Sequence, residues 1–152
     1  MDAEIVRKIE QYCAYQERSH HEVRYKLVAL GSRGEDLEMI MMHLIEENFL
    51  NEERFVMAFV SGKFKIKKWG KIKIAQGLKA KNISPFLIQK GLQSISPNDY
   101  FNTLESLALK KWQALAQLSF PIKKKKTSDY LLQKGYEYNL IQEVWQSDIF
   151  EA

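Results

Sequence analysis

The constraint that bears hardest on this chain is a series of apolar and turn residues that recurs three times. Leu27, Gly31, Ile40 and Leu44 are answered by Leu78, Asn82, Ile88 and Leu92, and then by Leu131, Gly135, Ile141 and Trp145, at a spacing of about 50 residues. Each series reads as a helix closed by a residue that tolerates the left-handed conformation, a short turn, and a second helix. Any helical protein yields single Leu-xxx-Gly matches by chance, so the weight lies in the same order appearing three times. A further helical pattern precedes each pair, over residues 5 to 16, 51 to 68 and 99 to 118. The chain therefore parses into three-helix repeats over 1–50, 51–97 and 98–152. A unit of that size has too small a core to be very stable alone. The expected fold class is all-α, three tandem three-helix repeats forming an elongated, curved rod.

Local chemistry agrees with that parse. Ile5, Ile9, Tyr12, Cys13 and Gln16 fall at helical spacing, and no strict alternation with flanking turn residues competes with it. Ser19 followed by Glu22 makes a capping box, and Gly31 ends the helix whose stripe is Val23, Leu27 and Leu30. A third helix over about 35–48 turns Leu37, Ile40, Met41, Leu44 and Ile45 inward. Met39, Met41 and Met42 read as core and near-core fillers, with Met42 also suited to an adaptable interface. Asn51 caps the next helix, whose inward set is Phe55, Ala58, Phe59 and Gly62, and Gly70 breaks it near Trp69. Ser84 and Pro85 begin a short helix, Pro97 a long one and Pro121 another, and Asn139 caps the last.

Charge is distributed very unevenly along this frame. Residues 1–60 hold 7 Lys/Arg against 12 Asp/Glu, residues 61–126 hold 15 against 2, and residues 127–152 hold 1 against 5, giving −5, +13 and −4. The net charge of +4 conceals that polarity. Between Gly62 and Lys81 stand Lys63, Lys65, Lys67, Lys68, Lys71, Lys73, Lys79 and Lys81 with no acidic residue, and Phe64, Ile66, Trp69, Ile72, Ile74 and Leu78 are threaded among them. A stretch that only had to stay solvated would not carry so many apolar groups, so the segment must pack and present charge together. Lys110, Lys111, Lys123, Lys124, Lys125 and Lys126 form a second patch. A lysine-rich solvated face is the plain alternative to a surface for a polyanion or an acidic groove on another protein. Lys63, Lys67 and Lys71 share a face if their helix runs unbroken. Trp69 is either a core anchor, which is favoured for a tryptophan at a helix boundary, or a platform on which a base stacks.

Catalytic patterns are not evident. His20, His21, His43 and Cys13 lack the spacing of a metal site, and neither a phosphate loop nor a dinucleotide turn is present, so no cofactor or metal is expected and no enzymatic activity. Glu46, Glu47, Glu52 and Glu53 read as helix-end and helix-start charges, with Arg54 pairing one of them across the turn. No apolar run reaches the roughly 18 residues that cross a bilayer, and the charged start is unlike a signal peptide, so a cytoplasmic protein without membrane association is expected. The single Cys13 fits a reducing compartment, as a buried inert thiol.

Taken together, four stretches resemble the RecX regulatory proteins of bacteria. They are Ser19-His-His-Glu-Val-Arg-Tyr-Lys-Leu27 with Gly31; Glu46-Glu-Asn-Phe-Leu-Asn-Glu-Glu-Arg-Phe55; Gly70 with Ile74, Leu78 and Lys81-Asn82-Ile83; and Tyr130-Leu-Leu-Gln-Lys-Gly135-Tyr with Ile141. Asn82 stands where the family usually has glycine, and the lysines at 123–126 lack the arginines expected there. The resemblance implies a monomeric, non-enzymatic modulator, mostly an inhibitor, of the RecA recombinase. Its implied partners are the RecA filament and single-stranded DNA, with double-stranded DNA left open. The basic residues named above, from Lys63 to Lys126 and including Trp69, are the expected filament or nucleic-acid contacts. The alternative is a stand-alone nucleic-acid-binding protein built of helix-turn-helix-like modules.

Overall fold

The computed structural model describes residues 1–147 and Phe150; residues 148, 149, 151 and 152, at the end of the third expected repeat, lie outside the described residues. Every regular element among the described residues is α-helical: α1 (Ala3–Tyr15), α2 (His20–Ala29), α3 (Gly34–Glu46), α4 (Glu52–Lys65), α5 (Lys71–Lys79), α6 (Pro85–Leu92), α7 (Pro97–Ala114), α8 (Phe120–Gln133) and α9 (Tyr138–Trp145). The chain forms two compact units, Met1–Phe59 with Leu78–Gly91, and Val60–Gly77 with Leu92–Ala152. Both α4 and α5 are shared between them.

The threefold series resolves into one backbone device. The amides of Ser32, Ile83 and Tyr136 donate to the carbonyls of Leu27, Leu78 and Leu131, and those of Gly31, Asn82 and Gly135 donate to Val28, Lys79 and Leu132. This pair of bonds is a Schellman turn, which satisfies the free carbonyls at a helix end and needs a left-handed residue before its last position. Gly31, Asn82 and Gly135 supply it at φ 98°, 60° and 98°. Leu27, Leu78 and Leu131 are each wholly buried, so the turn is fixed both by its hydrogen bonds and by its leucine.

In the first unit Ile9, Cys13, Val23, Leu27, Leu37, Ile40, Met41, Leu44 and Leu50 pack into one cluster. The Ser19–Glu22 capping box forms as the sequence demands. Burial pushes the Cys13 thiol up to about 11, so it stays protonated and unreactive at neutral pH. In the second unit α7, α8 and α9 pack on one another. Phe64, Tyr100 and Tyr136 form a run of rings with centroids 5.9 and 5.2 Å apart.

Several details depart from the sequence expectations. Ala58 is exposed, because the bulkier row Val56, Val60 and Phe64, spaced by four, takes the inward side of α4. Gln16, the extended residue just past α1, is exposed, and Met39, Met42 and Ile45 also face solvent, the inward rows of α3 being filled by Leu37, Ile40, Met41 and Leu44. Ile66 and Ile72 are exposed rather than packed. Glu137, not Asn139, holds the extended cap position of α9, where its carbonyl accepts the Ile141 amide. Arg54 reaches past the neighbouring turn glutamates to Glu17, at 2.7 Å, and to the Asn48 side chain and carbonyl.

Candidate nucleic-acid interface

Ile66 to Gly70 form the turn between α4 and α5, and the turn and the start of α5 are held by residues far away in sequence. α4 stops at Lys65 because Lys68 enters the left-handed region at φ 61°. The Gly70 amide then donates to the Lys134 carbonyl (2.8 Å), the Ile72 amide to the Gly135 carbonyl (3.0 Å), and the Lys71 amide to the Tyr100 hydroxyl (2.9 Å). In return the Tyr136 hydroxyl donates to the Lys68 carbonyl and the Lys134 ammonium to the Lys67 carbonyl, both at 2.9 Å. The Tyr100 hydroxyl in turn donates a hydrogen bond to the Glu137 carboxylate. At Gly70 a Cβ would overlap the Gly135 carbonyl group, and at Gly135 a Cβ would overlap the Lys73 backbone. Two glycines facing each other let two turns close to backbone contact.

This clamp fixes where the lysines point. Because the helix breaks at Lys65, Lys63, Lys67 and Lys71 do not form a continuous helical stripe. Lys63 and Lys73 instead set their ammonium groups 4.7 Å from the Trp69 ring centroid, and Lys71 lies 4.8 Å from that of Tyr100. Trp69 is half-buried, with its indole engaged by cations. Lys65, Lys68 and Lys110 line one open cleft of about 550 Å³, with Asn102, Thr103 and Ser106 of α7 and the carboxylate of Asp99 also on its walls. Phosphate oxygens accept from groups of this kind, ammonium for charge and hydroxyl and amide for position.

The other expected contacts are distributed differently. Lys123 lies 3.9 Å from the Trp112 ring centroid, Lys124 5.6 Å from Trp145 and Lys111 5.0 Å from Tyr130, so this patch interleaves cations with aromatics. Lys125 pairs with Asp129, and Lys126 is exposed. Lys79 and Lys81 belong to the first unit, where Lys81 pairs with Glu22 at 3.4 Å.

One cation of the turn escaped the sequence reading. Lys134 lies in the acidic C-terminal stretch, yet it caps the Lys67 carbonyl. Burial lowers its pKa, as do the nearby charges of Lys73 and Lys67, so the three ammonium groups form one field. Its position beside Gly135, the left-handed residue of a repeat turn, was the available signal.

No three His, Cys, Asp or Glu side chains come together as a metal site among the described residues. The histidines go separate ways, His43 to Glu10, His20 to Glu52 and His21 to Asn82. Among the described residues no helix is long and apolar enough to cross a membrane.

Fold and site together define a class, an all-helical three-helix-repeat protein that displays a cationic turn locked by glycine contacts. Family models described as the second and third three-helix domains of RecX match residues 51–92 and 98–145. A regulatory protein RecX of Clostridium acetobutylicum is 31% identical over 131 residues, covering 84% of this chain and 60% of the relative. The RecX of Salmonella typhimurium is 28% identical, covering 88% of this chain and 85% of its own. Among solved structures, RecX from Lactobacillus salivarius superposes with a TM-score of 0.83 at 24% identity, covering 95% of this chain and 96% of that one. Another structure, described as regulatory protein RecX, gives 0.86 at 20% identity, over 95% and 73%. The chain belongs to the RecX family, whose matching members are named regulatory proteins; it spans 60% of the length of the clostridial relative.

Proposed function

We propose that this protein binds the RecA filament on single-stranded DNA and modulates, mostly by inhibition, its recombinase, ATPase and coprotease activities. The supporting observation is the clamped cationic turn, where Lys65, Lys68 and Lys110 share a cleft and Lys63 and Lys73 flank Trp69. Membership of a family of regulatory proteins supports the regulatory role. The turn meets the phosphate backbone or an acidic filament surface, without base-edge recognition, since lysines neutralise phosphates without reading sequence. Lys110, Lys111 and Lys123–Lys126 extend the same contact, and the protein acts as a monomer without cofactor or catalysis of its own.

The test is strand exchange by the cognate RecA on single-stranded DNA while this protein is titrated, with its binding to the bare DNA measured in parallel. Loss of exchange at concentrations that leave free DNA unbound is the expected result. Inhibition only once the DNA is coated would replace this reading with that of a stand-alone nucleic-acid-binding protein.

A further inference from the structure

The outward face of α3, in the first unit, has a chemistry opposite to that of the cationic turn. Its inward rows are filled by Leu37, Ile40, Met41 and Leu44. Met39, Met42 and Ile45, three residues apart along the other side, are nonetheless 51%, 60% and 45% exposed. Isolated exposed apolar residues need no explanation, but three along one helix face, two of them methionines, form a deformable apolar ridge. Glu35, Asp36, Glu38 and Glu46 fringe the ridge, and α3 contains no lysine or arginine. Beside it opens a cleft of about 600 Å³ lined by Arg24, Gly34, Glu35, Leu37, Glu38, Met39 and Met42. The one arginine there is already engaged, Arg24 meeting both carboxylate oxygens of Glu38. That hydrogen bonding holds the Glu38 carboxyl below the usual range.

We propose that this face of α3 is a docking surface for a partner protein, and that its occupant is an amphipathic helix with an apolar ridge bordered by lysine or arginine. An acid-fringed face repels a phosphate backbone, which excludes nucleic acid as the occupant. It also has the charge opposite to that of a basic helix, and an amphipathic helix laid against methionines is an established recognition mode. The third helix of a three-helix repeat is the one a helix-turn-helix protein lays in the major groove; in this repeat it carries the wrong charge for that use.

The full chain labelled with ¹³C at its methionine methyl groups reports on the face directly. The probe is a synthetic helical peptide of leucine and lysine, compared with the same leucine pattern carrying glutamate and with a single-stranded oligonucleotide. The methyl signals of Met39 and Met42 are expected to shift saturably with the lysine peptide, with Met57 of α4 little changed, and not with the glutamate peptide or the oligonucleotide. M39K/M42K, at exposed positions, should weaken the lysine peptide at least tenfold without changing the melting temperature, and I45K provides a second variant. Unmoved Met39 and Met42 signals, an equal response to the glutamate peptide, or an affinity insensitive to both variants overturns the proposal. A response to the oligonucleotide alone would assign the face to nucleic acid instead.

Discussion

Gly31 and Gly135 stand at the same step of two repeats and carry the same φ of 98°, yet their surroundings differ completely. Around Gly31, in the first unit, a Cβ would meet nothing within 4 Å. Around Gly135, in the second, it would run into the Lys73 backbone, because the α4–α5 turn lies against it through Gly70. A repeated local pattern thus dictates a repeated local turn and nothing about what the turn is used for. In one unit it ends a helix. In the other it is the anvil on which a lysine turn is shaped.

The largest effect that separates the two glycines is steric. Gly135→Ala combines a left-handed alanine with backbone overlap and should cost about 3 kcal/mol, whereas Gly31→Ala carries only the conformational penalty of roughly 1–2 kcal/mol. Thermal or denaturant unfolding of both variants checks this, and equal losses would contradict the difference in packing. Tyr136→Phe perturbs the same contact more gently. Removing the donor to the Lys68 carbonyl should cost about 1 kcal/mol.

The same variant carries a pH signature. Burial raises the pKa of Tyr136 and of Tyr100, with the hydrogen bond to Glu137 adding to the shift at Tyr100, both from an ordinary value of 10.0. A raised folded value leaves the stabilisation complete below the unfolded value near 10 and removes it as pH rises beyond, because only the unfolded chain then releases the proton easily. Unfolding should therefore become easier above about pH 10, and Tyr136→Phe should flatten that decline. An unchanged slope would remove Tyr136 from the account.

The smallest effects concern the lysines of the cleft singly. Each of Lys65→Ala, Lys68→Ala and Lys110→Ala should lower the salt dependence of single-strand binding by about 0.7 in the log–log slope if its ammonium meets a phosphate. Lys81→Ala, whose ammonium already pairs with Glu22, should lower it less.

Much of the fold was legible because its determinants are local. The Schellman turns, the Ser19–Glu22 box, the Asn51 and Ser84 caps and the proline starts each depend on residues within a few positions. The register of α4 was less legible, since both Ala58 and Val56 fit an apolar stripe and only packing selects between them. The candidate site was legible as a charge run but not as a geometry. Arg54 finds Glu17 and Gly70 finds Gly135 across 37 and 65 residues, distances over which one sequence carries no pairing information. Lys134 was hidden by its acidic neighbours for the same reason.

The most direct test is ATP hydrolysis by the cognate RecA on single-stranded DNA, titrated with the wild-type protein and with K67E/K68E/K71E, after circular dichroism has established that both are folded. Inhibition by the wild type and a loss of at least tenfold in potency for the charge-reversed protein are expected. Undiminished inhibition by the variant would contradict a regulator that works through its clamped cationic turn.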